Sequence, residues 1–329
     1  MVILNIYVLA ALIQRIAAIP MDPWTDFKVK FGKSYPTRQE DEERHKIWEK
    51  TRLEILPFNI QFSRNQTQPF RLDLNHLADL TEEELNTLKG TIPPPKQPEA
   101  DSVPIVQNTR RLPSSVDYRD SPCMPPIRDQ GRCGSCYAFA AVETIEYYNC
   151  MKNGGRLATF SQQNIVDCSR NDRQCLGGFY TNSWDYVKSS GGLCSESDYT
   201  YTSGSSGTSG GCRSSTCQPA VTTSSYKNVP NSEDSMAHVV ATIGPIAVAM
   251  DANLNSFYFY SQGIFNDQRC SSNVNHAVII VGYGTDRMYG DYWIVRNTWS
   301  TSWGERGYFR LQRGKNLCGI ANYPYYPIL

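Results

Sequence analysis

A cysteine followed far downstream by a histidine and then an asparagine can form a nucleophilic site, provided the fold brings the three together. Cys136 closes the run Gln130-Gly-Arg-Cys-Gly-Ser-Cys136 and opens a helix-like stretch, Tyr137–Tyr148. At a helix N-terminus the unpaired N–H groups favour an anion and lower a thiol pKa. The histidines are His45, His76, His238 and His276. The first two precede a proline-rich segment, and His238 lies in a helix-like run that suits a packing or surface role. His276 precedes an apolar strand pattern, Ala277–Tyr283, whose end can present a rigid imidazole to a cleft. Asn297 follows a second strand pattern, Tyr292–Arg296, and is flanked by Trp299 and Trp303. A side-chain amide can hold an imidazole in one tautomer, and an indole can keep water from that hydrogen bond. The chemistry implied is thiolate attack with imidazole as the base.

All eleven cysteines lie between Cys123 and Cys318. With the apolar run Val2–Ile13 and the small residues Ala17 and Ala18 after it, they read as disulfides in a secreted chain whose signal peptide covers residues 1–18. An odd number leaves one thiol free. Zinc is disfavoured because no second close Cys or His pair has ligand spacing. A redox pair at Cys133 and Cys136 lacks a thioredoxin-like context. The 32 basic and 32 acidic residues cancel, so the charge asks for neither nucleic acid nor an anionic membrane as partner.

The elements that must position these groups fall into two parts. Residues 20 to 90 are charged, contain no cysteine and carry an amphipathic helix over 39–59, with Ile47, Trp48, Thr51, Ile55 and Phe58 on one stripe. The prolines of residues 92–104 make that stretch an extended linker open to proteolysis. Beyond Leu112 helices come early and strands late (Ala247–Asp251, Ala277–Tyr283, Tyr292–Arg296, Tyr308–Leu311). That order predicts an α+β protein with a helical half, a sheet or barrel half and a cleft between them. Residues 203–211, all Ser, Gly and Thr, read as a flexible surface loop.

At Gln130, Cys136, His276 and Asn297 the chain resembles the papain family of cysteine proteases, of which the handling of a Cys-His-Asn set is a standard case. The resemblance implies a papain-like two-subdomain fold, helical on one side and β-barrel-like on the other, with Cys136 as nucleophile, His276 as base and Asn297 as its orienter. Gln130 and the Cys136 N–H would hold the oxyanion. Tyr137 stands where the family has tryptophan and Thr298 where it has serine; neither removes a reacting group. Gly177 and Gly178 would hydrogen-bond a peptide backbone, Trp303 would help form the leaving-group side, and Phe179, Tyr180, Ala249, Ala277 and Tyr323 would line the pocket for the second residue before the scissile bond.

The same resemblance pairs Cys133 with Cys175, Cys168 with Cys212, Cys270 with Cys318 and Cys123 with Cys150, leaving Cys194 and Cys217 to each other and Cys136 free. Glu40, Arg44, Ile47, Trp48, Ile55 and Asn59 match the long-helix motif of the inhibitory propeptide of the cathepsin L-like branch. Asn75, Leu77 and Asp79 fit a degraded form of its second motif that lacks the leading glycine, and Trp24, Phe27, Phe31 and Tyr35 match its aromatic opening. The expectation is a propeptide over 19–111 that crosses the cleft backwards until cut near Arg110, Arg111 or Leu112, and a peptidase over 112–329. Protein or peptide substrates, the propeptide itself and cystatin-type inhibitors are the partners implied, with no cofactor and no metal. No histidine-bearing insertion precedes His276, so endopeptidase rather than dipeptide-removing activity is implied. Asp291–Arg296 and Asn322–Pro327 also resemble mite group 1 allergen-type proteases. The sequon at Asn65 lies in the propeptide, and acid activation through its carboxylates is expected.

Overall fold

The computed structural model describes residues 22–65, 68–95, 101–102 and 112–329. The expected signal segment, the Gln66–Thr67 part of the sequon and the cleavage region at Arg110 and Arg111 lie outside them.

The N-terminal part is built on two helices. The first, α1 (Pro23–Phe31), begins where the Asp22 carboxylate accepts from the Thr25 N–H and ends at Gly32, whose φ of 61° is left-handed. The second, α2 (Arg38–Asn65), buries Trp48, Thr51 and Ile55 and leaves most of its charges outside. Trp24 ties the two together, stacked against Tyr35 and His45 with ring centroids 6.0 and 5.1 Å away. Behind them lies Asp79, which is buried, pairs with Lys33 at 2.7 Å and accepts from the Tyr35 hydroxyl. Strand β1 (Phe70–Leu72) and helix α3 (Glu82–Thr87) complete this part, the latter opened by a capping box between Thr81 and Glu84.

In the second part the central element is α4 (Cys136–Lys152). Thirteen of its seventeen residues are buried, so it is enclosed on all sides rather than lying on the surface. Beside it stand α5 (Gln162–Cys168) and α6 (Tyr180–Ser189), and next in sequence come α7 (Ser203–Ser206), α8 (Glu233–Thr242) and α9 (Asn255–Tyr258). The strands are β2 (Asp101–Ser102), β3 (Val116–Asp117), β4 (Ser225–Asn228), β5 (Ile246–Met250), β6 (Tyr260–Phe265), β7 (His276–Asp286), β8 (Gly290–Arg296), β9 (Tyr308–Gln312) and β10 (Tyr325–Ile328). They form one sheet in the order β1-β6-β9-β8-β7-β5-β10-β4-β2, with β3 also on β7.

The barrel-like half is therefore an open sheet among the described residues. Its two ends do not pair with each other, and each end strand comes from the N-terminal part, β1 on β6 and β2 on β4. The register places the chemistry: Met250 pairs with His276 at the start of β7, and Ile279 pairs with Arg296 at the end of β8. Asn297, one residue beyond, comes back toward His276.

Two buried ion pairs fasten α4 to this sheet and to the turn before it. Arg296 Nε donates to Glu143 at 2.6 Å, while its Nη1 and Nη2 donate to the carbonyls of Pro125 and Pro126. Arg128 makes a two-pronged pair with Glu146 at 2.7 and 2.8 Å and reaches Glu196 at 3.0 Å. Five disulfides, Cys123–Cys150, Cys133–Cys175, Cys168–Cys212, Cys194–Cys217 and Cys270–Cys318, leave Cys136 as the free thiol. Because Cys133 bonds Cys175, it is not a redox partner for Cys136.

Removing one partner from a buried pair strands the other charge, which costs about 3–5 kcal/mol. Glu143→Ala is expected to lose stability on that scale, read as a lowered guanidinium midpoint of the precursor; a change below about 1 kcal/mol would show that the Arg296 pair does not hold the halves together.

Candidate active site

Cys136 is the first residue of α4 and is fully buried. Its Sγ accepts from the Ala277 N–H at 3.4 Å and lies 3.4 Å from the Thr91 hydroxyl. Burial pushes the thiol up, and the hydrogen bonds from Ala277 and Thr91 only partly offset this.

His276 stands across from it at the head of β7. Its Nε2 is 2.7 Å from Asn297 Oδ1, and that oxygen also accepts from the Thr298 N–H at 2.8 Å. Facing an amide oxygen, Nε2 carries the ring proton, and Nδ1 is left as the basic nitrogen. Trp299 covers the ring at 4.7 Å. Burial lowers the imidazole pKa to about 4, opposed by the Asn297 hydrogen bond and helped by the nearby Lys89 ammonium. In this state both Cys136 and His276 are held neutral.

Gln130 is buried with its orientation fixed from two sides: Oε1 accepts from the Thr298 hydroxyl at 2.6 Å, and Nε2 donates to the Cys133 carbonyl at 2.9 Å. The same Nε2 donates to the Leu88 carbonyl at 3.0 Å. A peptide carbonyl from the N-terminal part thus sits on the donor that Gln130 offers. The serine-to-threonine change at Thr298 keeps the hydroxyl that orients it, and Tyr137 uses its own hydroxyl to reach the Gln174 carbonyl at 2.9 Å.

Residues 88–92 run through the cleft between two walls. Gly178 N–H donates to Gly90 O at 2.8 Å, Ile92 N–H to Gly178 O at 2.9 Å and Thr91 N–H to Asn275 O at 2.9 Å. Thr91 pairs with Gly178 in the parallel sense. Asp172 supports the glycine wall from behind: it accepts from the Phe179 N–H at 2.9 Å and from the Ser169 and Ser183 hydroxyls at 2.7 and 3.1 Å. Burial raises its carboxyl to about 6. A Cβ on Gly178 would lie 2.4 Å from Asp172 Oδ1, so glycine is required there.

Phe179, Tyr180, Ala249 and Ala277 are buried in one cluster, with Tyr323 packed against it. Ala249 and Ala277 pair across β5 and β7, and the Phe179 ring meets Tyr323 edge-on at 5.7 Å. Trp303 is placed differently from the expectation. It is fully buried, donates its indole N–H to the Tyr258 carbonyl at 2.9 Å and packs on Trp299 and Phe257. The indole against His276 is that of Trp299, with Trp303 one layer behind, so Trp303 does not form the leaving-group side. Asp172, and the Arg296–Glu143 pair behind Asn297, were not singled out from the sequence. The acids of the run Ala-Val-Glu143-Thr-Ile-Glu146 were visible there, since charges in so apolar a helix demand partners.

The fold and the site together define a thiol-nucleophile hydrolase of cleft type whose cleft is filled by its own N-terminal part. Residues 112–328 match the family described as papain family cysteine protease, and residues 24–85 match the cathepsin propeptide inhibitor domain. Cathepsin S of Bos taurus is 37% identical over 92% of this chain and 91% of that protein. Digestive cysteine proteinase 2 of Homarus americanus is 36% identical over 93% and 94%. The digestive procathepsin L2 proteinase structure from Tenebrio molitor larval midgut superposes with a TM-score of 0.85 at 33% identity, covering 93% of this chain and 98% of that one. The chain belongs to the papain family: it is a cysteine endopeptidase made as a zymogen with an inhibitory propeptide.

The propeptide passes so close to the nucleophile that a Cβ on Gly90 would lie 1.8 Å from the Gly134 carbonyl oxygen. Overpacking costs about 1–3 kcal/mol, so the Gly90→Ala precursor is expected to show roughly 10- to 100-fold more activity at neutral pH than the wild-type precursor, read with a dipeptide fluorophore. Equal latency would show that the contact does not set the fit.

Proposed function

We propose that Cys136, His276, Asn297 and Gln130 carry out peptide hydrolysis through a thioester. His276 Nδ1 takes the Cys136 thiol proton, and the resulting thiolate attacks the scissile carbonyl carbon to form the S–C bond. Gln130 Nε2 and the Cys136 N–H hold the resulting oxyanion, and His276 gives its proton to the departing amine as the C–N bond breaks. Water, deprotonated by His276, then attacks the thioester; the carboxylate leaves and the thiol is restored. The observation that carries this reading is the Leu88 carbonyl on Gln130 Nε2: a peptide carbonyl accepts from one of the two donors proposed to hold the oxyanion.

The proposed boundaries are a signal peptide over 1–18, a propeptide over 19–111 and a peptidase over 112–329, in a chain that enters the secretory pathway and is delivered outside the cell or to a lysosome or vacuole. The free cleft would then accept protein substrates and cystatin-type inhibitors alike.

Acid activation is assigned here to histidines rather than to propeptide carboxylates. Burial would raise Glu84, but the Arg44 hydrogen bonds outweigh it and the net shift is downward, and the Lys28 contact likewise lowers Asp41. The pairs they make therefore lose stability only once pH falls below the ordinary carboxylate values. His276 is held at about 4 against 6.5 for a free imidazole, and burial also lowers His76, which faces Asp129, Lys33 and Asp79. A depressed histidine pKa means that the propeptide-bound state binds fewer protons than the open one. Its advantage is full above about 6.5 and is lost as pH falls toward 4. The precursor brought to pH 4–5 is therefore expected to process and then hydrolyse dipeptide fluorophores, with the activity abolished by an epoxysuccinyl thiol trap and absent from Cys136→Ala. Fastest processing at neutral pH would refute the histidine assignment, and a correctly processed, folded enzyme without activity would refute the proposed reaction.

In the pocket proposed here Tyr323 packs against the cluster of Phe179, Tyr180, Ala249 and Ala277, and none of the five carries a charge. The pocket should be shallow and apolar, so Val, Leu or Ala is expected over Phe or Arg at the second residue before the scissile bond. A positional substrate library led by Arg or Phe would contradict this.

A further inference from the structure

Both donors of the proposed oxyanion site hang on short main-chain segments, Gln130–Arg132 and Ser135–Cys136, and something must hold those segments in register. On the Gln130 side the N–H is fixed by the Thr298 carbonyl at 2.9 Å. Its carbonyl accepts from the Tyr201 hydroxyl at 2.7 Å. The same hydroxyl oxygen lies 2.7 Å from Ser135 Oγ. Tyrosine has one hydroxyl proton, and it is directed at the Gln130 carbonyl, so Ser135 donates to Tyr201. Ser135 immediately precedes Cys136 and makes no side-chain cap bond to α4; its hydroxyl also lies 3.4 Å from the Cys133 carbonyl, a longer contact than that to Tyr201.

Tyr201 is itself anchored. Its ring meets Phe139 edge-on at 4.9 Å. The segment after it, read from sequence as a flexible loop, begins instead as helix α7 with Ser203 buried. Gln163 holds that start: its Oε1 accepts from the Thr202 and Ser203 N–H groups at 2.8 and 3.0 Å, and its Nε2 donates to the Ser203 hydroxyl at 2.7 Å. Gly204 then packs on the nucleophile turn. Arg132 N–H donates to its carbonyl at 2.9 Å, and a Cβ on Gly131 would lie 2.4 Å from the same oxygen. Composition suggested mobility, but glycine and serine here allow close docking.

We propose that Tyr201 is a positioning residue for the oxyanion site, its single hydroxyl joining the segment that carries Gln130 to the segment that carries the Cys136 N–H. This rests on the thioester reaction proposed above and goes beyond it by naming what keeps the two donors convergent. Tyr201 touches neither the thiol nor the imidazole, so its loss acts on steps that develop an oxyanion and spares those that do not.

The test compares wild type and Tyr201→Phe after processing. Removing a whole oxyanion donor costs about 10²–10³ in kcat, and a misplaced one should cost less, so kcat is expected to fall roughly tenfold with KM unchanged. Inhibition by a peptide aldehyde, whose adduct with Cys136 carries an oxyanion, should weaken by the same factor. Alkylation of Cys136 by iodoacetamide, which forms no oxyanion, should keep its rate and pH profile. Ser135→Ala removes one of the two contacts and is expected to give a smaller loss of the same pattern, which provides a reading if Tyr201→Phe folds poorly. The proposal is overturned if alkylation slows along with hydrolysis, or if neither variant changes kcat or aldehyde affinity by more than about twofold. An inactive wild type would instead count against the reaction itself, and aldehyde binding would still report on Tyr201.

Discussion

The enzyme's chemistry depends on keeping the start of a helix against the start of a strand, and the buried Arg296–Glu143 pair spans the seam between them. Glu143 lies two turns along the helix from the nucleophile, and Arg296 immediately precedes Asn297. One ion pair therefore ties the neighbour of Asn297 to the helix that carries the Cys136 thiol. Arg128 repeats the tie from the turn leading to Gln130, through Glu146. Such pairs gain little net stability over an apolar core but are costly to leave half made, which favours a single relative placement of the two halves.

The propeptide exploits that fixed geometry by filling the cleft with the wrong groups. The sulfur lies against the Thr91 hydroxyl and accepts an N–H from the donor Ala277, whereas the carbonyl on Gln130 belongs to Leu88, earlier in the chain. Donors quieten a sulfur without giving it a carbon to attack. The parallel pairing of Thr91 with Gly178 is the backbone expression of the same mismatch, and burial of the pair removes the solvent that an ionised thiolate and imidazolium need.

Much of this was legible from sequence because the information is local. Cys136 after a glycine-rich turn, His276 at a strand start and Asn297 at a strand end are patterns of a few residues, and so are the aromatic spacings of α1 and α2. What was not legible is non-local. Which indole covers His276 depends on how the loop after β8 folds back, and Trp299 and Trp303 look alike in a string. The role of Asp172 depends on a turn bringing Ser169, Phe179 and Ser183 around one carboxylate. In the 203–211 segment residues 207–211 are irregular and largely at the surface, as expected, but the helical start at 203–206 was missed for a related reason: composition measures what side chains can bury, and Gly204 is held by what its missing side chain lets the main chain approach.

The two strands that the N-terminal part lends to the sheet have a consequence for the life of the mature enzyme. With the proposed boundary at residue 111, loss of the propeptide would leave β6 and β4 each with a side that had been hydrogen-bonded, and would open the aromatic seat of Phe70 beside Phe265 and Tyr260. Unpaired strand edges next to exposed aromatic rings are templates for self-association. Maturation at that boundary would thus turn two paired strand sides into edges. The left-handed Gly263 in β6 and the irregular register opposite Arg71 and Leu72 break the first of those margins, so that it offers a poor template to a neighbouring copy.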